Sequence, residues 1–210
     1  MGKKAKSKKR LLRNGSPPTL LLEKRAERKG CKCVGGIDEV GRGPLAGPVV
    51  AACVVLKRFD FTVRIDDSKR LTPLLREKAY WQIIKKAHVG IGIVFEDTIK
   101  EININNATVL AMRHAYFNLP VKPDLLLVDG TLKLRLPLKQ ICVVGGDRKS
   151  LSIAAASIVA KVARDRLMIF YDNLFPNWEL AAHKGYGTKT HFKAIEKYGL
   201  SPLHRGWGLK

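Results

Sequence analysis

Residues 35–48 read GGIDEVGRGPLAGP, and this stretch places two adjacent carboxylates and a Gly-Arg-Gly turn after an apolar run. The run over Val34–Val40 predicts a β-strand whose end carries Asp38 and Glu39. Because side chains alternate between the two faces of a strand, both carboxylates cannot point into one apolar core. A buried ionised carboxylate needs a cation, an arginine or a proton beside it, so the acidic pair indicates a candidate functional site.

Strands and helices are predicted to alternate along the rest of the chain. Short apolar runs predict further strands at residues 48–56, 88–96, 125–128 and 140–144. Apolar periodicity, capping residues and prolines together predict helices at residues 72–87, 105–119, 150–174 and 190–198. The helix at 150–174 carries a face of small residues that would pack closely on a sheet. This alternation indicates the α/β class.

The composition indicates a basic protein that binds a polyanion. The 210 residues carry a net charge of +21, and nucleic acid is the commonest partner of such a chain. Residues 1–13 contain seven lysines and arginines, yet the rest of the chain keeps 32 of the 39 basic residues against 18 acidic ones. We expect residues 1–18 to be a disordered basic arm, because such a run cannot bury enough surface to offset its ordering entropy. Residues 19–210 have a length suited to a single domain.

The protein is expected to be cytoplasmic and not bound to a membrane. No apolar stretch approaches the roughly 18 residues of a membrane helix, and the patch at Thr19–Leu22 is too short for a secretion signal. The four cysteines, at positions 31, 33, 53 and 142, do not form two pairs at the spacing of zinc ligands. Their pattern favours reduced thiols over a zinc site.

One alternative interpretation of the opening stretch is a dinucleotide-binding fingerprint. Gly41, Gly43 and Ala46 match its G-x-G-x-x-A spacing, but the fingerprint requires a helix that begins at the glycines. Two prolines and a valine-rich strand follow here instead, so the pattern argues against a dinucleotide site. The chain also lacks a Walker A sequence.

Four acidic residues stand at the ends of predicted strands, namely Asp38, Glu39, Asp129 and Asp147. An aspartate in such a place is often only a turn or helix cap, and this interpretation stays open for Asp129 and Asp147 taken singly. Together, however, strand ends in a layered protein converge on one edge, where four carboxylates would require cations. Hard ions such as Mg²⁺ or Mn²⁺ prefer oxygen ligands, and two of them can hydrolyse a phosphodiester. The acidic group and the basic surface together suggest a nuclease.

Two other function classes remain open at this point. A non-catalytic basic protein that coats nucleic acid would need no group of carboxylates, whereas a resolvase-like or transposase-like nuclease would need one. The Gly41–Gly43 turn fits either a phosphate-contacting loop or a plain turn with a solvated arginine.

Several ordered motifs make the chain resemble ribonuclease HII, the type 2 ribonuclease H family. The match spans about residues 34–204 and is carried by GIDEVGRGPLAG at 36–47, DSK at 67–69, VDG at 128–130, GD at 146–147, SIAAASIVAKVARD at 152–165 and HKGYGT at 183–188. The resemblance implies a ribonuclease H-like fold with a mixed central sheet, flanking helices and a C-terminal helical part. It also implies endonucleolytic cutting of RNA in RNA/DNA hybrids.

The resemblance further implies cutting on the 5′ side of single ribonucleotides embedded in duplex DNA, which leaves a 3′-hydroxyl and a 5′-phosphate. The family's catalytic and metal-binding positions are occupied by Asp38, Glu39, Asp129 and Asp147, which would hold two Mg²⁺ or Mn²⁺ ions. Its substrate-binding positions correspond to Gly41, Arg42, Gly43, Lys69, Lys161, Lys184 and Tyr186. The turn and the tyrosine would sense the ribose 2′-OH, because glycines let the backbone approach it closely. A monomer is expected.

Two positions depart from the family pattern. Gly145 stands where the family usually has a lysine before Gly-Asp, and the chain after His204-Arg205 continues only as GWGLK, at 206–210. The first departure removes a positive charge near Asp147, and the second changes a region of substrate contacts.

Overall fold

The computed structural model describes residues 16–206, and its centre is a five-stranded sheet. The strands are β1 Val34–Val40, β2 Val49–Leu56, β3 Ala87–Val94, β4 Leu125–Asp129 and β5 Lys139–Val143. Their spatial order is β3-β2-β1-β4-β5, with antiparallel pairing among β1, β2 and β3 and parallel pairing of β4 with β1 and β5. The predicted mixed sheet is therefore confirmed. Most of the expected basic arm, residues 1–15, and the terminal residues 207–210 lie outside the described residues.

Helices cover both faces of this sheet and form the C-terminal part. They are α1 Leu21–Glu27, α2 Pro73–Lys86, α3 Glu96–Phe117, α4 Leu151–Leu174, α5 Leu180–His183 and α6 Lys189–Tyr198, with short 3₁₀ turns at Ser68–Arg70, Gly146–Arg148 and Pro176–Trp178. Helix α3 packs on one face of the sheet, and α4 packs on the other. None of the helices within residues 16–206 is both long enough and apolar enough to cross a membrane.

Small residues let α4 lie unusually close to the central strand. A Cβ atom on Gly36 of β1 would be 2.3 Å from the backbone carbon of Ser152, so only glycine fits there. The alanines at 154–156 and 160 are fully buried against the same face. This close approach carries Ser157 and Lys161 of α4 over the end of β1, where the acidic pair lies.

The start of α3 corrects the predicted strand at residues 88–96. That strand ends at Val94, and Glu96 opens a helix because two acidic residues, Glu96 and Asp97, favour its positively polarised first turn. The helix then breaks at Asn103, which has φ +66° and whose side chain accepts hydrogen bonds from the amides of residues 105 and 106. The second half, after this cap, is the helix that the sequence predicts from Asn105.

Helix α1, which the sequence analysis did not predict, ties the N-terminal segment to the start of α4. The buried carboxylate of Glu23 accepts hydrogen bonds at Oε1 from Ser150 Oγ (2.6 Å), Ser152 Oγ (2.7 Å) and the Ser152 amide (3.0 Å). Thr19 adds backbone hydrogen bonds to Lys149 and Leu151 on either side of Ser150. An anion at the N-terminus of a 24-residue helix is favourable, so Glu23 stabilises the start of α4.

We expect Glu23→Gln to lower the free energy of unfolding by about 1 kcal/mol and Glu23→Ala by about 2 kcal/mol. Glutamine keeps the shape but loses the charge, whereas alanine also leaves the hydroxyl groups of Ser150 and Ser152 without their acceptor. Urea unfolding would measure both effects, with Glu27→Gln as the control because Glu27 is exposed on the same helix. Equal stability of the Glu23→Ala variant and the Glu27→Gln control would contradict this role.

Candidate active site

The register of the parallel strands brings two of the predicted carboxylates side by side. Ile37 of β1 pairs with Val128 of β4, so the next residues along, Asp38 and Asp129, lie side by side at the point where β4 ends. β5 lies beyond β4, and Asp147 follows it in the turn at Gly146–Arg148. Three neighbouring parallel strands thus deliver acids to one place, as the strand-end argument predicts.

These carboxylates line a single cavity of about 420 Å³. Seven of the predicted site residues line it, namely Asp38, Glu39, Lys69, Asp129, Asp147, Lys161 and Tyr186. Ser68 and Ser157 complete its polar wall, and their hydroxyl groups lie 3.1 Å apart. A larger cavity of about 590 Å³ lies at the open edge of β5, but its lining is mainly apolar and includes none of the predicted site residues. The acidic cavity is therefore the candidate active site.

Asp38 is the most deeply buried of these acids, with only 6% of its surface exposed. It points to the α4 side, where Ser157 lies beside it, and it accepts a hydrogen bond of 2.8 Å from the Glu39 amide. Burial first, and then the charges of Glu39 and Asp129, raise the pKa of Asp38 well above its ordinary value. The carboxylate therefore requires a proton or a cation in this position.

Glu39 lies on the opposite face of β1 and has its own cationic neighbour. Arg42 Nη1 lies 3.4 Å from Glu39 Oε1, and Arg42 Nη2 donates a 2.7 Å hydrogen bond to Asn105 Oδ1 of α3. Burial raises the pKa of Glu39, Arg42 lowers it, and Asp129 raises it, with a net upward shift. Asn105 thus holds Arg42 beside the acidic pair.

Asp147 is held in the cavity by a link between its turn and β4. Asp129 Oδ1 accepts a 2.6 Å hydrogen bond from the amide of Gly146, immediately before Asp147. Burial and the charges of Asp67 and Asp129 raise the pKa of Asp147, whereas Lys69 and Arg148 lower it. Lys69 and Arg148 thus supply positive charge near Asp147 although Gly145 brings none, so the departure from the family pattern does not leave Asp147 without positive neighbours.

The donor set fits a hard divalent cation. All four acidic side chains offer carboxylate oxygens, and burial together with neighbouring acidic charges raises the pKa of Asp38, Glu39 and Asp147, which favours a cation beside them. Within residues 16–206, no three acidic, histidine or cysteine side chains already converge on one point as a preformed metal site. Asp38, Glu39, Asp129 and Asp147 are the residues that would hold such an ion.

The basic residues predicted to bind substrate fall into two groups. Lys69 and Lys161 line the cavity, and Lys161 Nζ pairs with Asp165 Oδ1 at 2.6 Å while lying 5.9 Å from the centre of the Tyr186 ring. Lys184 does not line the cavity: its Nζ donates to the carbonyl oxygen of Ala181. Helix α5 ends with Lys184 at φ +54°, and this left-handed cap directs its side chain back over the helix.

The Gly41–Gly43 turn lies directly against the loop that carries Tyr186. The amide of Leu45 donates a 2.8 Å hydrogen bond to the carbonyl of Gly185, next to Tyr186. Gly41 is buried with φ +97°, a conformation that favours glycine, whereas Gly43 is exposed. The structure thus places the segment that follows the turn against the tyrosine loop, although Gly41, Arg42 and Gly43 are not among the residues that line the cavity.

Three buried histidines, His183, His191 and His204, support the Tyr186 loop. His191 Nδ1 donates to the Tyr186 carbonyl at 3.0 Å, so its Nε2 accepts from His204 Nε2 at 3.1 Å. His204 Nδ1 in turn accepts from the Ser201 amide at 2.9 Å, and the His183 ring stacks on His191 at 4.1 Å. Burial, with smaller effects from the other two histidines, lowers the pKa of His191 to about 4. The hydrogen bonds that link these neutral imidazole rings therefore fix the backbone at Tyr186.

Comparison with known proteins places this geometry in one family. The family model for ribonuclease HII matches residues 35–207. Ribonuclease HII of Acetivibrio thermocellus is 52% identical over 186 residues, which cover 88% of this chain and 73% of that protein. The crystal structure of ribonuclease H2 from Pyrococcus horikoshii aligns with a TM-score of 0.70 at 26% identity, over 82% of this chain and 92% of that one.

A more distant structure shares the fold alone. Ribonuclease HIII, described in complex with Mn²⁺, aligns with a TM-score of 0.58 at 16% identity, over 80% of this chain and 63% of that one. The family match excludes the non-catalytic nucleic-acid coat and the resolvase-like nuclease that the sequence left open. The chain belongs to the ribonuclease HII family, whose members have ribonuclease H activity and cut the RNA of RNA/DNA hybrids as endonucleases.

Proposed function

We propose that this protein is a metal-dependent ribonuclease HII that cuts RNA in RNA/DNA hybrids and cuts on the 5′ side of single ribonucleotides embedded in duplex DNA. The products would carry a 3′-hydroxyl and a 5′-phosphate. The observation that carries this proposal is the cavity in which four carboxylates from three parallel strands face Lys69, Lys161 and Tyr186.

The proposed metal site consists of Asp38, Glu39, Asp129 and Asp147, and it would hold two ions, either Mg²⁺ or Mn²⁺. The burial of the Asp38 carboxylate beside the negative charges of Glu39 and Asp129 supports this assignment. The Mn²⁺ complex of the ribonuclease HIII that shares the fold supports it as well. When bound, such ions would activate a water molecule and stabilise the leaving oxygen of the phosphodiester. Glu39, which is less buried than Asp38, would also orient the attacking water by accepting its hydrogen bond.

Basic side chains at the cavity would position the scissile phosphate. Lys69 and Lys161 carry positive charge to the cavity wall, and Lys69 is held by the 2.9 Å hydrogen bond from its amide to Asp67 Oδ1. Lys184 would contact the nucleic acid only after leaving the Ala181 carbonyl. Because water attacks the phosphorus, the 2′-hydroxyl is not the nucleophile, and no 2′,3′-cyclic phosphate should form.

Recognition of the ribose would come from the Gly41–Gly43 turn and Tyr186. A Cβ atom on Gly43 would point into open space, so its absence leaves room for the backbone of the turn to approach the 2′-OH, the group that distinguishes RNA from DNA. The Tyr186 ring is 38% exposed and lines the cavity, so one face is available to stack on the adjacent sugar. Arg42 would keep the turn beside Glu39 through its bond to Asn105.

Two duplexes that differ by one 2′-OH test this function. With Mg²⁺ present, we expect cutting only of the duplex with one ribonucleotide, on its 5′ side, whereas the all-DNA duplex should be bound and left intact. A sequencing gel with end-chemistry standards would identify the products, and omission of the metal would serve as the control. Equal cutting of both duplexes, a cyclic phosphate, or full activity without a divalent ion would overturn the proposal.

A further inference from the structure

Two buried arginines surround the loop that follows β1. Arg164 of α4 is fully buried, although it lies in a helix that otherwise presents small apolar residues to the core. Its guanidinium donates from Nε to the carbonyl of Pro48 (2.9 Å) and from Nη2 to that of Ala46 (3.0 Å). Its third donor, Nη1, reaches the carbonyl of Lys184 at 2.8 Å. One side chain therefore joins the end of the Gly41–Pro48 loop to the loop that contains Tyr186.

Arg205 holds the beginning of the same loop. It is 2% exposed and donates from Nη2 to the carbonyl of Gly41 (2.7 Å) and from Nη1 to those of Arg42 (3.3 Å) and Pro44 (3.1 Å). Its Nε donates to the carbonyl of Gly47 at 2.8 Å. Two of these four acceptors belong to the Gly41–Gly43 turn that the proposed function places against the ribose.

Burying two arginine side chains costs free energy, because each guanidinium loses contact with water. Burial, together with the charge of Arg164, lowers the pKa of Arg205 to about 9, so Arg205 still carries its charge at neutral pH. The buried Glu96, whose Oε1 has no hydrogen-bond partner within the described residues, is an acidic neighbour of both arginines, and Asp165 is a second one of Arg164. A fold that needed only a tight turn would not require two buried cations, because backbone hydrogen bonds alone can close a turn.

We propose that Arg164 and Arg205 are positioning residues that hold the Gly41–Gly43 turn and Tyr186 at one fixed separation, and that this separation sets ribose recognition. The inference rests on the proposed function, because it assumes that the turn and the tyrosine read the same ribose. The planar guanidinium is suited to this task, since its donors point in fixed directions and one group satisfies several carbonyls.

Lysine cannot replace either arginine in this role. Its single ammonium group lacks the fork of donors, so Arg205→Lys would release some of the carbonyls of Gly41, Arg42, Pro44 and Gly47 while keeping the charge. A displacement of the turn by about 1 Å would misplace the 2′-OH relative to the carboxylates, which can cost about 10²-fold in rate. Affinity for the duplex, which depends mainly on phosphate contacts, should be little affected.

The test measures single-turnover cutting and binding for Arg164→Lys and Arg205→Lys with the single-ribonucleotide duplex. We expect the cutting rate to fall by about 10- to 100-fold, with the dissociation constant changed by less than about threefold. Arg166→Lys is the matched control, because Arg166 lies on the same helix but its side chain is 44% exposed and pairs with Glu77. If Arg164→Lys does not fold, the test rests on residue 205. Arg205→Gln is then measured beside Arg205→Lys, because glutamine keeps two N–H donors and removes the charge.

A double-mutant cycle with Tyr186→Ala separates positioning from general destabilisation. If Arg205 acts by fixing the turn against Tyr186, the loss in the double variant should be clearly smaller than the product of the two single losses. Losses that multiply fully, or lysine variants that cut like wild type, would overturn the inference. A wild-type enzyme that ignores the 2′-OH would instead overturn the proposed function, so the two failures are distinguishable.

Discussion

Replacing Asp38 or Asp129 with asparagine should lower the cutting rate by on the order of 10³-fold or more, with little change in duplex affinity. Either change removes a negative charge from the centre of the carboxylate group while keeping the shape of the side chain. The charge that holds the cation is lost, whereas the basic surface that binds phosphates is untouched. Single-turnover cutting and fluorescence anisotropy on the same duplex would measure the two quantities separately.

The Asp38→Asn substitution should also stabilise the metal-free protein. Asp38 is buried beside two like charges, which raises its pKa, so the folded state holds a proton there more tightly than the unfolded chain does. As pH rises and Asp38 ionises, its buried charge lowers the free energy of unfolding. A neutral amide at this position would remove that destabilisation. We expect the unfolding midpoint of Asp38→Asn at neutral pH to rise by about 2–4 °C without metal, and added Mg²⁺ to stabilise it less than wild type.

Glu101→Gln provides the control for this pair of measurements, because Glu101 is exposed on α3 and lines none of the cavity. It should leave both rate and midpoint essentially unchanged. Asp38→Asn with near wild-type activity would refute the metal-binding role of the cluster. A lower midpoint in the metal-free protein would show that Asp38 already has a compensating partner.

Local sequence signals predicted those strands and helices whose packing in the fold agrees with the preference of their own sequence. β1 was predicted at its observed bounds, Val34–Val40, because an apolar run ends there at a Gly-Arg-Gly turn. α2 begins at Pro73 after the Thr72 cap, as its capping signal indicates. Helix α1 was missed because its sequence, LLEKRAE, is too short and too charged for a periodic signal, and because its stability comes from contacts with α4.

The candidate site was predictable to the extent that it depends on strand ends. Asp38, Glu39, Asp129 and Asp147 were expected together because the ends of neighbouring strands in a layered protein converge on one edge, and they line one cavity. The orientation of Lys184 was not predictable, since it depends on a left-handed helix cap rather than on its own sequence neighbours. The burial of Arg164 and Arg205 was not predictable for a related reason. The sequence of a basic chain does not distinguish an arginine that faces carbonyl groups from one that faces solvent.

The two glycines of the turn, although alike in sequence, should respond differently to alanine. A Cβ atom on Gly41 would lie 2.4 Å from Arg164 Nε and 2.6 Å from the Pro48 carbonyl, at a backbone φ of +97°. Gly41→Ala should therefore destabilise the protein itself by about 2 kcal/mol or more. A Cβ atom on Gly43 would meet nothing within 4 Å, so the protein alone does not demand glycine there.

Gly43→Ala is thus the sharper probe of ribose recognition. Its unfolding midpoint should equal that of wild type within about 1–2 °C, because the new methyl group points into open space. If the turn approaches the 2′-OH as proposed, that methyl group would hold the sugar away from the carboxylates and reduce cutting at a single ribonucleotide by about 10²-fold. Thermal unfolding and single-turnover cutting of the same preparation would show both results. Wild-type cutting by Gly43→Ala would mean that the substrate never comes close to residue 43, and ribose recognition would then have to come from Tyr186 and the Gly41 side of the turn.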